Sequence, residues 1–486
     1  MFSARTYTPQ PACASESQRL DQSVHRVSYI VERIALVAFA VVAAAPGGAG
    51  AQDSASALAP VAQHARSSPA SDIDSLVAHA VAVNPELRAA RSRVDAARAR
   101  VAPAGLRSDP MLMAGVQNFP VSEPGFGNDE MTMKMVGVGQ TIPYPGKLGL
   151  RRRVAGREVE AAGAALVART RQVARDVRDA YYELAFLDRA MSIVERNRDL
   201  LVTFIKVTEA RYGVGMAGQQ DVLRARVETS RLAESAVGLT EQRHAALARL
   251  NAVLDQPSDA PVTLPSIPAR IAHAAVADSV RRVHFTSSAL GARAADSPLP
   301  PVTELQEIAL RESPMLRESE AMIAAAAARV ELARRDYLPD FDVSIQYGQR
   351  DRLSDMVTAV VSVPIPFQKR RKQDAYVAEA RSEVAALEAE RTARRNELRA
   401  EVARLVSELE RDRAQLALYV TAIIPQGRAS LASATSSYQV GRVEFLTLLD
   451  NQATLFNYET EYFRVLTEFA RGLAELERIV GREIVP

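Results

Sequence analysis

Tryptophan is absent from this chain, cysteine occurs once and histidine six times in 486 residues. The one cysteine, Cys13, lies upstream of the apolar run Ile34–Ala45. A mature protein cut after that run has no disulfide and no thiol for an acyl anchor. His273 and His284 stand apart from any cysteine or acidic pair at ligand spacing, so a metal centre is not expected. There is no Ser/His/Asp set and no phosphate loop; the chain reads as a non-enzyme with no cofactor. No charge of one sign dominates either: the net charge is +2, and basic and acidic residues alternate along the helical stretches. Nothing there offers nucleic acid a surface. The clusters Arg151-Arg152-Arg153 and Lys369-Arg370-Arg371-Lys372 read first as solvated helix starts and second as contacts for lipid head groups.

Long hydrophobic runs are also missing. Ile34–Ala45, preceded by Arg26 and Arg33 and followed by Ala49-Gly50-Ala51, has the three parts of a secretory signal and is too short for a transmembrane helix. Residues 1–51 therefore read as a signal peptide with a long leading region, and 52–71, rich in Ala, Ser and Pro, as a flexible leader.

What the chain has in quantity is heptads. Val159, Leu166, Val173, Ala180, Leu187, Val194 and Leu201 recur every seven residues, with Val177, Leu184, Met191 and Ile205 on the alternate seam. A repeat this long predicts a rod packed against other helices. It ends at Arg211-Tyr212-Gly213-Val214-Gly215, where glycine supplies the positive φ that stops a helix, and a returning helical pattern runs over 221–254. The same device recurs about 226 residues later in Ser437-Tyr438-Gln439-Val440-Gly441. Asn84-Pro85 matches Ser313-Pro314, Pro110 matches Pro339, and Pro143-Tyr144-Pro145 matches Pro364-Ile365-Pro366. The chain is two copies of one unit.

Each copy starts with one helical pattern, over 72–103 and 303–336, and then changes period. Met111–Phe119, Met131–Ile142, Asp340–Gly348 and Asp355–Pro364 alternate at period two, as strands of an outer-membrane barrel do. Five of the eleven methionines fall in the first two of these. Thioethers are ligands for Cu(I) or Ag(I); the competing and favoured reading makes them lipid-facing side chains, since Lys134 and Gln140 occupy the opposite face of their strand. The second long helix carries Leu398, Val402, Leu405, Leu409, Leu416 and Ile423, and Pro425 predicts a kink in it. After the second tip, Leu449, Phe456, Phe463 and Ala470 recur every seven residues.

The expected organisation is a first repeat at 72–257, a Pro-rich inter-repeat segment at 258–301 with a short helix near 269–283, and a second repeat at 302–486. Four membrane strands per chain cannot close a barrel, for which about eight is the usual minimum. Oligomerisation is therefore expected, with a membrane barrel continuous with a long helical tunnel. A periplasmic adaptor has one hairpin and no paired strands in each half, a purely structural coiled coil lacks both the strands and the glycine tips, and both fit less well.

The duplicated arrangement, the lead-in Ile142-Pro143-Tyr144-Pro145-Gly146-Lys147-Leu148 and the two tips resemble the TolC family of outer-membrane efflux factors. The resemblance implies a mainly α fold: long helical hairpins forming a trimeric helical barrel, continuous with a transmembrane β-barrel to which each chain gives four strands. It implies a homotrimer in outer-membrane lipid, partnered by a periplasmic adaptor and an inner-membrane pump. It further implies a closed periplasmic end in which Tyr438 is held by Asp221 and Asp450 rings the constriction. Val443 stands where a basic residue is expected and Thr447 where a second acid is, leaving Glu444 as an alternative contributor. The tips Gly213-Val214-Gly215 and Val440-Gly441-Arg442 are the implied adaptor-docking residues. The Pro-Tyr-Pro-Gly-Lys lead-in and the methionines are similar to the heavy-metal branch, copper or silver; a general drug duct is the alternative.

Overall fold

The computed structural model describes residues 73–122, 125–127, 129–262, 267–276, 299–351, 353–365 and 367–484. The expected signal peptide and leader, with most of the inter-repeat segment including His284, lie outside them. All described residues belong to one unit, Ser68–Pro486. The first repeat comprises α1 (Ile73–Val83), α2 (Pro85–Ala104), β1 (Met111–Gln117), β2 (Met133–Ile142), α3 (Lys147–Gly213) and α4 (Gln219–Val253). After α5 (Ala269–Val276), the order returns as α6 (Val302–Glu312), α7 (Pro314–Arg335), β3 (Phe341–Arg350), β4 (Met356–Ser362), α8 (Lys369–Leu418), a π turn (Tyr419–Ile423), α9 (Ile424–Gln439) and α10 (Phe445–Val480).

The single helix expected at the head of each repeat is two helices. Proline disfavours a helical conformation in the residue before it but suits the first helical position. Asn84 and Ser313 therefore leave the helix and cap the next one. Asn84 Oδ1 accepts from the Glu86 and Leu87 amides at 2.9 and 3.3 Å, and Ser313 Oγ accepts from the Leu316 amide at 3.4 Å. Asn84 also donates to the Val253 carbonyl at 2.9 Å, fastening the break to the end of the returning helix.

Helix α3 has 67 residues, about 100 Å at 1.5 Å per residue. Its heptad seam is the buried one: Val173, Val177, Ala180, Leu184, Leu187, Val194 and Leu201 are all under 5 % exposed. Val402, Leu405, Leu409 and Leu416 of α8, and Leu466, Ala470, Leu473 and Val480 of α10, form the corresponding core of the second repeat. The break anticipated at Pro425 is the π turn just before it. Proline at 425 has no N–H for the carbonyl four residues earlier and crowds it, and a widened turn absorbs the misfit.

The four strands form one antiparallel sheet in the order β1-β2-β3-β4. Its centre is the junction between repeats: β2 and β3 pair over ten residues, from Met133 opposite Arg350 to Ile142 opposite Phe341. The outer edges of β1 and β4 have no partner strand in the sheet. Because side chains alternate at period two and directly paired residues share a face, the register sorts the whole sheet. One face carries Leu112, Val136, Val138, Ile345, Tyr347, Val357 and Val361; the other carries Met111, Met113, Met133, Met135 and Met356 with Ser344, Gln346 and Thr358. The register removes the ground on which the lipid-facing reading of the methionines was favoured. Lys134 and Gln140 do lie on the opposite face of β2, with Gln349 of β3 beside them, but the neighbouring strands otherwise add aliphatic side chains and Tyr347 there, while polar residues and Val360 join the methionines. Among the described residues no helix is long and apolar enough to cross a membrane.

Candidate functional site

The two hairpin tips are built alike. Gly215 and Gly441 take φ of 74° and 75°, which only glycine adopts without strain. At the first tip the Gly215 amide donates to the Tyr212 carbonyl at 2.9 Å and the Met216 amide to the Arg211 carbonyl at 2.8 Å. At the second, Gly441 donates to Tyr438 at 3.0 Å and Arg442 to Ser437 at 2.9 Å. Both are Schellman closures, satisfying the last carbonyls of the helix. Gly213, Val214, Gly215, Val440, Gly441 and Arg442 are all exposed.

Packing behind the tips is not alike. Tyr212 is exposed, whereas Tyr438 is buried beside Phe445 with ring centroids 5.5 Å apart. The Tyr438 hydroxyl donates to Thr208 Oγ1 at 3.1 Å. Arg211 reaches across from the first tip: its Nη1 donates to the Tyr438 and Gln439 carbonyls at 2.5 and 2.9 Å, and its guanidinium lies 4.8 Å from the Tyr438 ring centroid. A cation at the C-terminal end of α9 is favoured by the helix dipole and by the free carbonyls there. Ser437, at the place of Arg211 in the second tip, is too short to reciprocate.

Within the chain Tyr438 and Asp221 have separate hydrogen-bond partners. Tyr438 turns inward to Thr208, and the Asp221 carboxylate accepts from the Gly218 amide at 3.2 Å, capping its own helix. Asp450 and Glu444 are exposed on α10 and at its N-terminus. Sequence reasoning passed over Arg211 and Thr208 as contact residues. A deeper pair was also missed: Gln452 donates to Asn197 Oδ1 at 3.0 Å in a buried contact, and Asn197 donates to the Ile193 carbonyl at 2.8 Å. A polar pair at a seam position sets the register of the helices that share it.

At the other end of α3, the Pro-Tyr-Pro-Gly-Lys lead-in joins sheet to helix. Gly146 takes φ of 92°, turning the chain so that Lys147, 3 % exposed, points inward. Its Nζ lies 2.8 Å from Asp340 and 3.1 Å from Asp336, and the Tyr144 amide donates to Asp340 at 2.9 Å. Burial works to raise the Asp340 pKa, but the hydrogen bonds from Lys147 and Tyr144 outweigh it and hold the carboxyl below its ordinary range. One lysine thus ties the first long helix to the strand of the second repeat.

Two tandem helical hairpins of this length are joined through one four-stranded sheet. The chain belongs to the family described as Outer membrane efflux protein, which it matches over 76–256 and 305–482. It is 24 % identical over 347 residues, 70 % of this chain and 75 % of the relative, to the cobalt-zinc-cadmium resistance protein CzcC of Cupriavidus metallidurans. In fold it is similar to the outer-membrane channel OprN, with a TM-score of 0.69, 20 % identity and coverage of 85 % of this chain and 91 % of that one. It is likewise similar to CusC, whose structures describe transmembrane channel formation, with a TM-score of 0.64, 18 % identity and coverage of 84 % and 92 %.

Proposed function

We propose that three copies of this chain form the outer-membrane duct of a tripartite metal-export system, fed by an inner-membrane pump through a periplasmic adaptor. The observation that carries the reading is the sheet. It has an aliphatic face and two unpaired edges, and in hydrocarbon an unpaired edge leaves backbone groups without partners at several kcal/mol each. Pairing β1 of one copy with β4 of the next removes the edges, and three copies supply enough strands to close. The helices then continue the barrel as a tunnel about 100 Å long. At its far end the exposed tips Gly213-Val214-Gly215 and Val440-Gly441-Arg442 dock the adaptor. Asp450 lines the constriction, where three facing carboxylates attract cations, with Glu444, Asp221 and Tyr438 around it. Replacing Asp450 with alanine raises single-channel conductance on this reading; an unchanged conductance removes Asp450 from the gate.

Metal cargo is favoured by the name of the curated relative and by the lead-in to α3. The test is growth of a strain lacking this gene, with and without the gene restored, across copper, silver, zinc, cobalt, detergents and antibiotics. Sensitivity confined to metals supports the reading. Sensitivity to dyes and antibiotics makes the protein a general drug duct instead.

A further inference from the structure

Resting on the channel reading, we infer that the methionine face of the sheet lines the lumen and binds soft monovalent cations, Cu(I) or Ag(I), as they leave. Three observations converge. The first is the sorting of faces. Leu112, Val136, Val138, Ile345, Val357 and Val361 are between 49 % and 77 % exposed on one side, the composition a barrel turns to lipid. Ser344, Gln346 and Thr358 share the side of the methionines, the composition a barrel turns to its interior.

The second is crowding. Although the sheet is a single layer, Gly137, Gly139 and Gly348 are buried and Met133 is only 6 % exposed. A β-carbon at Gly348 would lie 2.7 Å from the Met133 sulfur, and one at Gly139 would lie 3.3 Å from the Met113 methyl. Glycine at these places lets the thioethers lie along the sheet. Side chains converge in this way on the concave side of a curved sheet, and alternation of small and large residues is the pattern of barrel interiors. The concave side of a closed barrel is its lumen.

The third is the chemistry of a shallow depression of about 170 Å³ whose lining includes Met113, Met135 and Gln346. Two thioethers and a carboxamide oxygen are neutral, and sulfur of this kind selects Cu(I) and Ag(I) over Zn(II) or Co(II). Among the described residues no group of three or more His, Cys, Asp or Glu is placed to hold an ion. Neutral soft ligands bind a passing cation weakly enough to release it, the condition for conduction through a pore.

The experiment uses the purified full-length protein in planar bilayers, with silver nitrate as the probe and nitrate salts as electrolyte. Open channels of the wild type are expected to be blocked by Ag(I), and the double variant Met113→Leu/Met135→Leu to need about tenfold or more Ag(I) for the same block. Leucine keeps volume and apolarity, so the oligomer size of the variant should match the wild type, and each block is read as a fraction of that channel's own open conductance. Met315→Leu/Met322→Leu, on α7, is the control and should leave the block unchanged. Channels that conduct but ignore Ag(I), or an equal block in the double variant, overturn the inference and leave the duct standing. Equal block by Zn(II) also overturns it. A wild type that forms no channel overturns both.

Discussion

In the first hairpin α3 runs 67 residues without a break, whereas α8 gives way after 50 residues to a π turn ahead of Pro425. The lead-ins differ too. Lys147 is buried and tied to Asp336 and Asp340, while at the second lead-in Ile365 is 67 % and Phe367 90 % exposed. At the tips, Arg211 grips the carbonyls of the second turn and Ser437 grips nothing of the first. The two tips share one turn chemistry and differ in their neighbours. The first copy holds the second at both ends, so the two hairpins are one mechanical piece within a protomer.

The largest expected break of this asymmetry is Lys147→Ala. It leaves two carboxylates without their cation and should cost about 2–3 kcal/mol, less than a fully buried pair because Asp336 and Asp340 keep some solvent. Gln368→Ala, at the matching place in the second lead-in, should stay within about 0.5 kcal/mol. Urea unfolding of the detergent-solubilised protein compares them; equal losses would show that Lys147 is not the fastening. Next comes Arg211→Ala, with an expected loss of about 1–2 kcal/mol from two charge-assisted hydrogen bonds, against no measurable change for Ser437→Ala. Hydrogen exchange of the second-tip amides should rise only in the arginine variant. Tyr438→Phe should cost about 1 kcal/mol through the lost bond to Thr208, and Tyr212→Phe nothing resolvable, as read by thermal midpoints.

The smallest effect is that of pH. Asp340 and Glu475 both have folded pKa values below the ordinary range. In Glu475 burial works to raise the value, and Arg478 and Arg175 outweigh it. A depressed carboxyl pKa adds stability that is fully present above the unfolded value and is lost as pH falls through the folded one. Stability should therefore decline on acidification below the usual carboxylate range. Lys147→Met should flatten the Asp340 part of that decline and leave the Glu475 part. A decline of the same steepness in the variant would assign the acid sensitivity elsewhere.

Much of the fold is written in local periods. The heptads of α3, the glycines of the tips and the alternation of the strands each depend on residues close in sequence, so they are legible without coordinates. The double break at Asn84-Pro85 and Ser313-Pro314 was equally local, and went unread because the apolar stripe continues across it from Leu76 to Leu87. Partners were harder. Nothing near Tyr438 in sequence announces Thr208, which is 230 residues away, and Asp221 has a nearer use for its carboxylate at the start of its own helix. The surroundings of the methionines were hidden for the same reason. Judged on β2 alone their face is the softer one, and only the registers with β1, β3 and β4 reveal that aliphatic side chains accumulate opposite.

Repeat architecture, helix length and the positions of the turns were determined by the sequence alone, because backbone conformation answers to residues within a turn or a strand. Tertiary structure decided which residues share a face of the sheet, which tyrosine is buried and which arginine crosses between tips. Those outcomes depend on pairing across more than a hundred residues, where a shift of one residue in a strand exchanges its two faces.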